Sequence, residues 1–397
     1  MSDTSPTTSG PTQSRLRAST VLLAFAAFGL LWGLYAAALP EIKRNTGASD
    51  GELGTALVCV GLAAAPAMFL VGRLLDRYGR PVVVTSLCLF AMVAPLPAVA
   101  NSVPTLVVAL LLFGLGSGAC DVVINSLAAT VEAETDERVL NRAHALFSVG
   151  LLVGTIVTSL TRANGVAASW PLAALAVVTV LGAVVLRRRV PASIVRAKDE
   201  TKESGGRRRI DPLVLGFGFL AALALLVESG VQQWSAVFLE DEVGAPPGLS
   251  GLAPGVFAGS MALGRLGGHW LSTRVSDRVV LLVSGVVSGG GVLIVAWSEQ
   301  PLVALVGFAV AGAAISVAAP TVYGVAGRAA PAERRGAVIG VTASIAYIGL
   351  LLGPVVVGQI ASFTDLRTAI GALVVVALAV SLAALRMPTV AKDHTSR

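Results

Sequence analysis

Asp121 and Glu228 are the two residues whose type and position could do chemistry in this chain. Asp121 lies deep in the run GLGSGACDVVINSL and Glu228 deep in LLVESGVQQW, whereas most of the other acids lie in tails or loops. A carboxyl group at membrane depth is costly when ionised and unpaired, so an acid placed there marks a site that binds a proton, an ion or a solute. Their neighbours repeat at helical spacing. Ser117, Asp121 and Asn125 make one polar stripe, and Glu228, Gln232 and Ser235 make another, with Gln233 and Trp234 beside it. Ser316, Pro320 and Tyr323 form a third stripe, and Trp32 and Tyr35 a fourth. For the serines, hydrogen bonds between helices are explanation enough. Trp32, Tyr35 and Trp234 suit either a solute cavity or the aromatic belt at a membrane interface.

The other reactive side chains offer less. Cys59, Cys88 and Cys120 sit inside apolar runs without paired spacing, and read as buried small hydrophobes. His144, at the start of a span, and His269, near the end of another, read as helix-end packing contacts. Glu132 lies three turns beyond Asp121 on the same face, either helping protons leave or serving as a solvated loop acid. No nucleophile–base pair, metal-ligand cluster or G-x-x-x-x-G-K-[ST] loop is present, so an enzyme, a metal or cofactor site and an ATP-driven pump are not expected.

The elements that must position these acids follow from composition. Of 397 residues, 55% are hydrophobic and only 13% charged, and the mean hydropathy is +0.81. A soluble domain carries about 25% charged residues, so lipid is the solvent, and soluble enzyme, nucleic-acid binder and disordered regulator are excluded. Crossing hydrocarbon takes about 20 apolar residues. Twelve such stretches occur, at about 18–39, 51–71, 81–100, 104–128, 143–162, 168–187, 212–238, 249–269, 279–297, 300–324, 336–360 and 365–386. None alternates as barrel strands would. The polar tail at residues 1–17 is too hydrophilic for a secretory signal.

Charge gives an independent check. With the N-terminus cytoplasmic and the loops alternating, 25 of the 29 Lys and Arg residues fall on the cytoplasmic side. The exceptions are Lys43, Arg44, Arg162 and Arg367. The net charge of +6 therefore describes orientation, with both termini cytoplasmic, rather than a nucleic-acid partner. Residues 188–211, with two RRR runs bordering or inside them, read as a cytoplasmic linker between an N-terminal bundle (18–187) and a C-terminal bundle (212–386), followed by a tail at 387–397. Gly72-Arg73-Leu74 and Gly264-Arg265-Leu266 sit at corresponding places in the two halves, each before a basic loop with one acid, Asp76 or Asp277. Matched halves are the footprint of a secondary transporter with its site between them. The pairs Gly150/Gly154 and Gly285/Gly289 read as helix-packing surfaces.

Gly72-Arg73-Leu74-Leu75-Asp76-Arg77-Tyr78-Gly79-Arg80 resembles the loop signature of the major facilitator superfamily. The resemblance implies an all-α membrane fold of twelve helices in two pseudo-symmetric six-helix bundles, with spans 1, 4, 7 and 10 around a central cavity. It also implies a cytoplasmic gate formed by Gly72, Asp76, Arg77, Gly79 and Arg80, in which Asp76 latches onto the start of span 11. Further runs are similar to the fucose permease-like branch: ALPEIKRNTGASDGELGTAL, CDVVINSLAATVE, HALFSVG, VESGVQQWSAVFL and YIGLLLGPVVVGQIA. In sugar permeases of that branch a carboxylate followed four residues later by Asn serves proton-coupled uptake, and Asp121 and Asn125 match those positions. Ala38 and Gln233 depart from the arginine and aspartate common there, and span 1 has no acid. The expected activity is alternating-access transport of a small organic solute, sugar-like or another metabolite, coupled to protons in the inner cell membrane by a monomer. Proton-driven export is the alternative, and a non-transporting sensor a weaker one. Asp121 and Glu228 lead the expected site, with Asn125, Gln232, Gln233, Trp234, Trp32, Tyr35 and Tyr323 around them.

Overall fold

The computed structural model describes residues 11–135, 139–190, 211–272, 274–331 and 334–387. Most of the expected linker (191–210), residues 1–10 and 388–397 of the two tails, and Arg138 lie outside the described residues, as does the side chain of His269.

Everything described is helix or short connection. The helices are α1 (Pro11–Thr46), α2 (Asp50–Tyr78), α3 (Arg80–Val93), α4 (Leu96–Val99), α5 (Val103–Thr135), α6 (Val139–Ala163) and α7 (Ser169–Leu186) in the first half. The second half holds α8 (Pro212–Asp241), α9 (Pro247–Ser250), α10 (Ala253–Ser272), α11 (Asp277–Trp297), α12 (Pro301–Ile315), α13 (Ala318–Ala329), α14 (Arg335–Phe363) and α15 (Leu366–Leu385). The α3–α4 and α12–α13 pairs each make one interrupted span. Among the described residues, eleven spans are long and apolar enough to cross a membrane. The twelfth is α10, a 20-residue helix in which Arg265, His269 and several glycines dilute the apolar run. The all-helical membrane fold of twelve spans is as the sequence led one to expect.

Local sequence sets the helix ends. Ser49 and Glu52 form a reciprocal capping box at the start of α2. The side chains of Asp211, Ser276 and Asp365 cap α8, α11 and α15. Gly79 alone separates α2 from α3, at φ 62°, a conformation that glycine adopts without strain. The interruptions also have causes. Pro95 and Pro97 cannot donate to a continuing helix and break span 3. In span 10, Pro320 lacks the amide that would bond to the carbonyl of Ser316, and the helix breaks at Ser316–Val317. Arg265 meets that carbonyl instead, its Nε donating at 3.4 Å.

The halves repeat one another in packing. α1 lies against α6 as α8 lies against α14, and α2 against α5 as α10 lies against α12. Glycines permit the close approach. A methyl group on Gly29 or Gly33 would strike the backbone of α6, and one on Gly150 or Gly154 the backbone of α1; Gly349 is equally tight against Ala222 of α8. Gly285 packs on Ala377 and Ser381 of α15. Replacing Gly349 with Val is therefore expected to destabilise the second half by about 1–3 kcal/mol. Gly216→Ala, where an added Cβ meets nothing within 4 Å, is the control and should be neutral. Thermal unfolding in detergent distinguishes them, and equal behaviour would show that close backbone approach does not hold this pair.

Candidate functional site

A cavity of about 380 Å³ lies between the halves. The first half supplies Phe28, Trp32 and Ala36 from α1, Leu57, Val60 and Met68 among others from α2, Ser117 and Asp121 from α5, and Phe147 and Leu151 from α6. The second supplies Glu228, Ser229, Gln232 and Gln233 from α8, and Tyr347, Leu350, Leu351 and Pro354 from α14. The two membrane acids thus come from opposite halves to one cavity. Asn125 stands one turn from Asp121 and donates through Nδ2 to its Oδ1 at 3.2 Å and to its main-chain oxygen at 2.9 Å. Among the described residues Asp121 has no cationic partner. Glu228 has Arg265, whose Nη2 is 3.7 Å from Oε1.

Several polar groups on the cavity wall already have partners. Trp32 donates through Nε1 to Ser117 Oγ at 3.2 Å, Ser229 Oγ donates to the Leu226 carbonyl at 3.4 Å, and Gln232 Nε2 donates to the Pro254 carbonyl at 3.2 Å. Trp32 also meets Phe113 edge-on, with centroids 5.0 Å apart.

Four expected residues are not in the lining; one of them, Asn125, reaches it through Asp121. Trp234 is fully buried, and its Nε1 donates to the Pro354 carbonyl at 3.0 Å, tying α8 to α14. Tyr35 is fully buried against Phe113, and its hydroxyl has no partner. Tyr323, on α13, does not line this cavity; α14 takes the place expected of span 10. One residue at 100° from Gln233 is enough to turn Trp234 away from the cavity. Glu132 caps α6, accepting from the Leu140 amide at 2.9 Å, and His144 packs edge-on against Phe25.

Arg265 was missed as a site residue because its charge suited the orientation pattern. The available signal was its position within a span, where an arginine requires a partner. Tyr347, a lone tyrosine in span 11, was missed for want of a polar stripe.

At one end of the molecule ion pairs join the two halves. Arg162, only 2% exposed, donates to Glu240 at 2.9 Å, to Glu41 at 3.2 Å and to the Ala37 carbonyl at 3.2 Å. Glu240 also receives Ser250 Oγ at 2.5 Å and pairs with Arg44. Lys43 sits 2.6 Å from both Asp50 and Asp241. Gln359 of α14 reaches the Gly51 carbonyl and Thr55 of α2 on this side. The four cations that broke the charge pattern are all used here or beside it: Arg367 holds the carbonyls of Ala296 and Ser298 at 2.7 and 2.9 Å. At the opposite end Arg80 Nε donates to the Val190 carbonyl at 2.7 Å, and Arg328 pairs with Asp277 at 2.5 Å.

Two repeated six-helix bundles enclosing a cavity with acids at membrane depth are the build of a secondary transporter. The family model of the Major Facilitator Superfamily matches residues 21–274 and 218–397. The chain belongs to that superfamily and is a multi-pass membrane transporter, not an enzyme. It is 32% identical over 370 residues to an uncharacterized MFS-type transporter of Yersinia pestis, covering 91% of this chain and 93% of that one. Its fold matches a bacterial homolog of the human lysosomal transporter Spinster in an inward-facing and occupied conformation (TM-score 0.78, 14% identity, 95% and 97% of the two chains). It also matches the nucleoside transporter NupG (TM-score 0.78, 15% identity, 93% and 99%).

Proposed function

We propose that this protein moves a small organic solute across the cytoplasmic membrane by alternating access, driven by exchange or co-movement of protons. One observation carries the reading: Asp121 and Glu228, from opposite halves, line the same cavity. Each is a proton-binding group at membrane depth, where an ionisable side chain is retained for function rather than for joining helices. Asn125 positions Asp121; Trp32, Gln232 and Gln233 contribute wall; Tyr35, Trp234 and Tyr323 support from behind. The gate opposite the ion-paired end is assigned to Gly72, Asp76, Arg77, Gly79 and Arg80. Both termini face the cytoplasm, by the distribution of Lys and Arg, and the working unit is a monomer. The likeness of Asp121, Asn125 and the flanking runs to fucose permease-like transporters supports solute–proton coupling.

The test is flux in proteoliposomes with an imposed pH gradient, screened over pools of small metabolites. At least one solute should move faster with the gradient than without it. Solutes that move equally in both conditions would remove proton coupling.

A further inference from the structure

The cavity carries two carboxylates, and none of its lining residues is a Lys, Arg or His. The nearest cation, Arg265, is outside the lining and 53% exposed. An anionic solute would meet the Asp121 carboxylate, which has no cationic partner among the described residues, and that of Glu228, whose charge Arg265 shares at 3.7 Å, in a space of low polarity. A neutral polyhydroxylated solute would find its hydrogen bonds concentrated on Asp121, Glu228, Gln232 and Gln233, because Ser229 already donates to the Leu226 carbonyl and Ser117 accepts from Trp32, in a wall that is otherwise largely apolar. Each of its hydroxyls left unpaired would cost binding energy. Apart from the Gln233 amide and the Tyr347 hydroxyl, the remaining wall is aromatic and aliphatic: Phe28, Trp32, Phe147 and the Tyr347 ring, with Leu57, Met68, Leu151 and Leu351. The Trp32 N–H is taken by Ser117, so this residue offers a guest ring surface and not a donor.

From this we infer that the transported solute is an organic cation, a protonated amine on an apolar or aromatic body. The ammonium group pairs with Asp121 and Glu228, and the aromatic walls hold the body and add cation–π attraction. The inference rests on this cavity being the transport site. It also fixes the form of coupling. Ammonium and proton compete for the same carboxylates, so an arriving ammonium sends the carboxyl proton to water on that face. On the other face the carboxylate takes a proton as the ammonium leaves. One cation moves in one direction and one proton in the other, and charge is balanced.

Binding to the purified full-length protein tests this, using a panel of arylalkyl primary amines. Each is paired with the alcohol and carboxylate built on the same body, and glucose is included as a polyhydroxylated control. The amines should bind best and release protons into a lightly buffered solution. Asp121→Asn should weaken amine binding by roughly tenfold to a hundredfold and abolish the proton release. Preferred binding of the alcohols, the carboxylates or glucose would overturn the inference, and so would failure of every amine to bind. The two readings fail separately. A neutral solute driven by the pH gradient would leave the transporter proposal standing without the cation; amine binding without gradient-driven flux would do the reverse.

Discussion

Asp121→Asn is expected to abolish solute movement driven by a pH gradient while leaving the protein inserted and folded. Asparagine nearly matches aspartate in shape and can still accept from Asn125 Nδ2, which holds the wild-type carboxylate at 3.2 Å. What it cannot do is take up or release a proton. One proton coupled to one solute lets a gradient of one pH unit, about 1.4 kcal/mol, sustain a concentration ratio of about ten. In Asp121→Asn that ratio should fall to about one. Glu228→Gln should fall in the same direction but less completely, because Arg265 at 3.7 Å already shares the charge of Glu228. Proteoliposomes loaded at one pH and diluted into another measure the ratio directly, with the solute found by the metabolite screen. A ratio near ten in Asp121→Asn would remove the residue from coupling.

The fold was legible because lipid imposes a simple rule on sequence. Every span had to be about 20 apolar residues long, and the charges left over had to sort by side. Both constraints act over whole segments, so the reading survived errors at individual ends. The interrupted spans did not show in hydropathy, because Pro95 and Pro320 break hydrogen bonds without making the run less apolar. The site was legible where a helix face carried its chemistry at regular spacing. Asp121 with Asn125, and Glu228 with Gln232, share faces because four residues make just over one turn. It was obscure where chemistry depended on which neighbour packs nearby. Trp234 belongs to the α8–α14 contact through the Pro354 carbonyl, and no spacing rule separates that role from a cavity wall one residue away. Arg265 shows the same limit. Its charge reads as topology, while its position makes it the partner of Glu228 and of the carbonyl freed by Pro320. The four exceptions to the charge pattern were the opposite case. Lys43, Arg44, Arg162 and Arg367 worked against the orientation rule, and each is held by ion pairs or carbonyls that account for its place.

Arg162→Met should open the ion-paired end of the molecule. Arg162 is the most buried charged member of that network, its side chain 2% exposed, and it joins Glu41 of the first half to Glu240 of the second. Methionine fills a similar volume but leaves Glu41, 14% exposed, without a cation among the described residues and Glu240, 10% exposed, with the exposed Arg44 as its remaining cation. Removing one member of a buried ion pair costs about 3–5 kcal/mol, mostly from the charge left behind. That cost falls on the closed state, since opening lets water reach both carboxylates. A penalty of about 3 kcal/mol moves the open–closed balance roughly a hundredfold. Arg44→Met is the comparison: Arg44 pairs with the same Glu240 but is 51% exposed, so its loss should cost less than about 1 kcal/mol. Spin labels on cysteines placed at the exposed Asn164 and Glu299 report the separation of the halves at this end, once Cys59, Cys88 and Cys120 are replaced. The distance distribution should lengthen in Arg162→Met and stay put in Arg44→Met. Adding Glu240→Gln to Arg162→Met removes one of the two acid charges and should restore part of the short-distance population. An unchanged distribution in Arg162→Met would mean that the halves are held together here by apolar and backbone contacts alone, with Arg162 serving only to join α6 to α1.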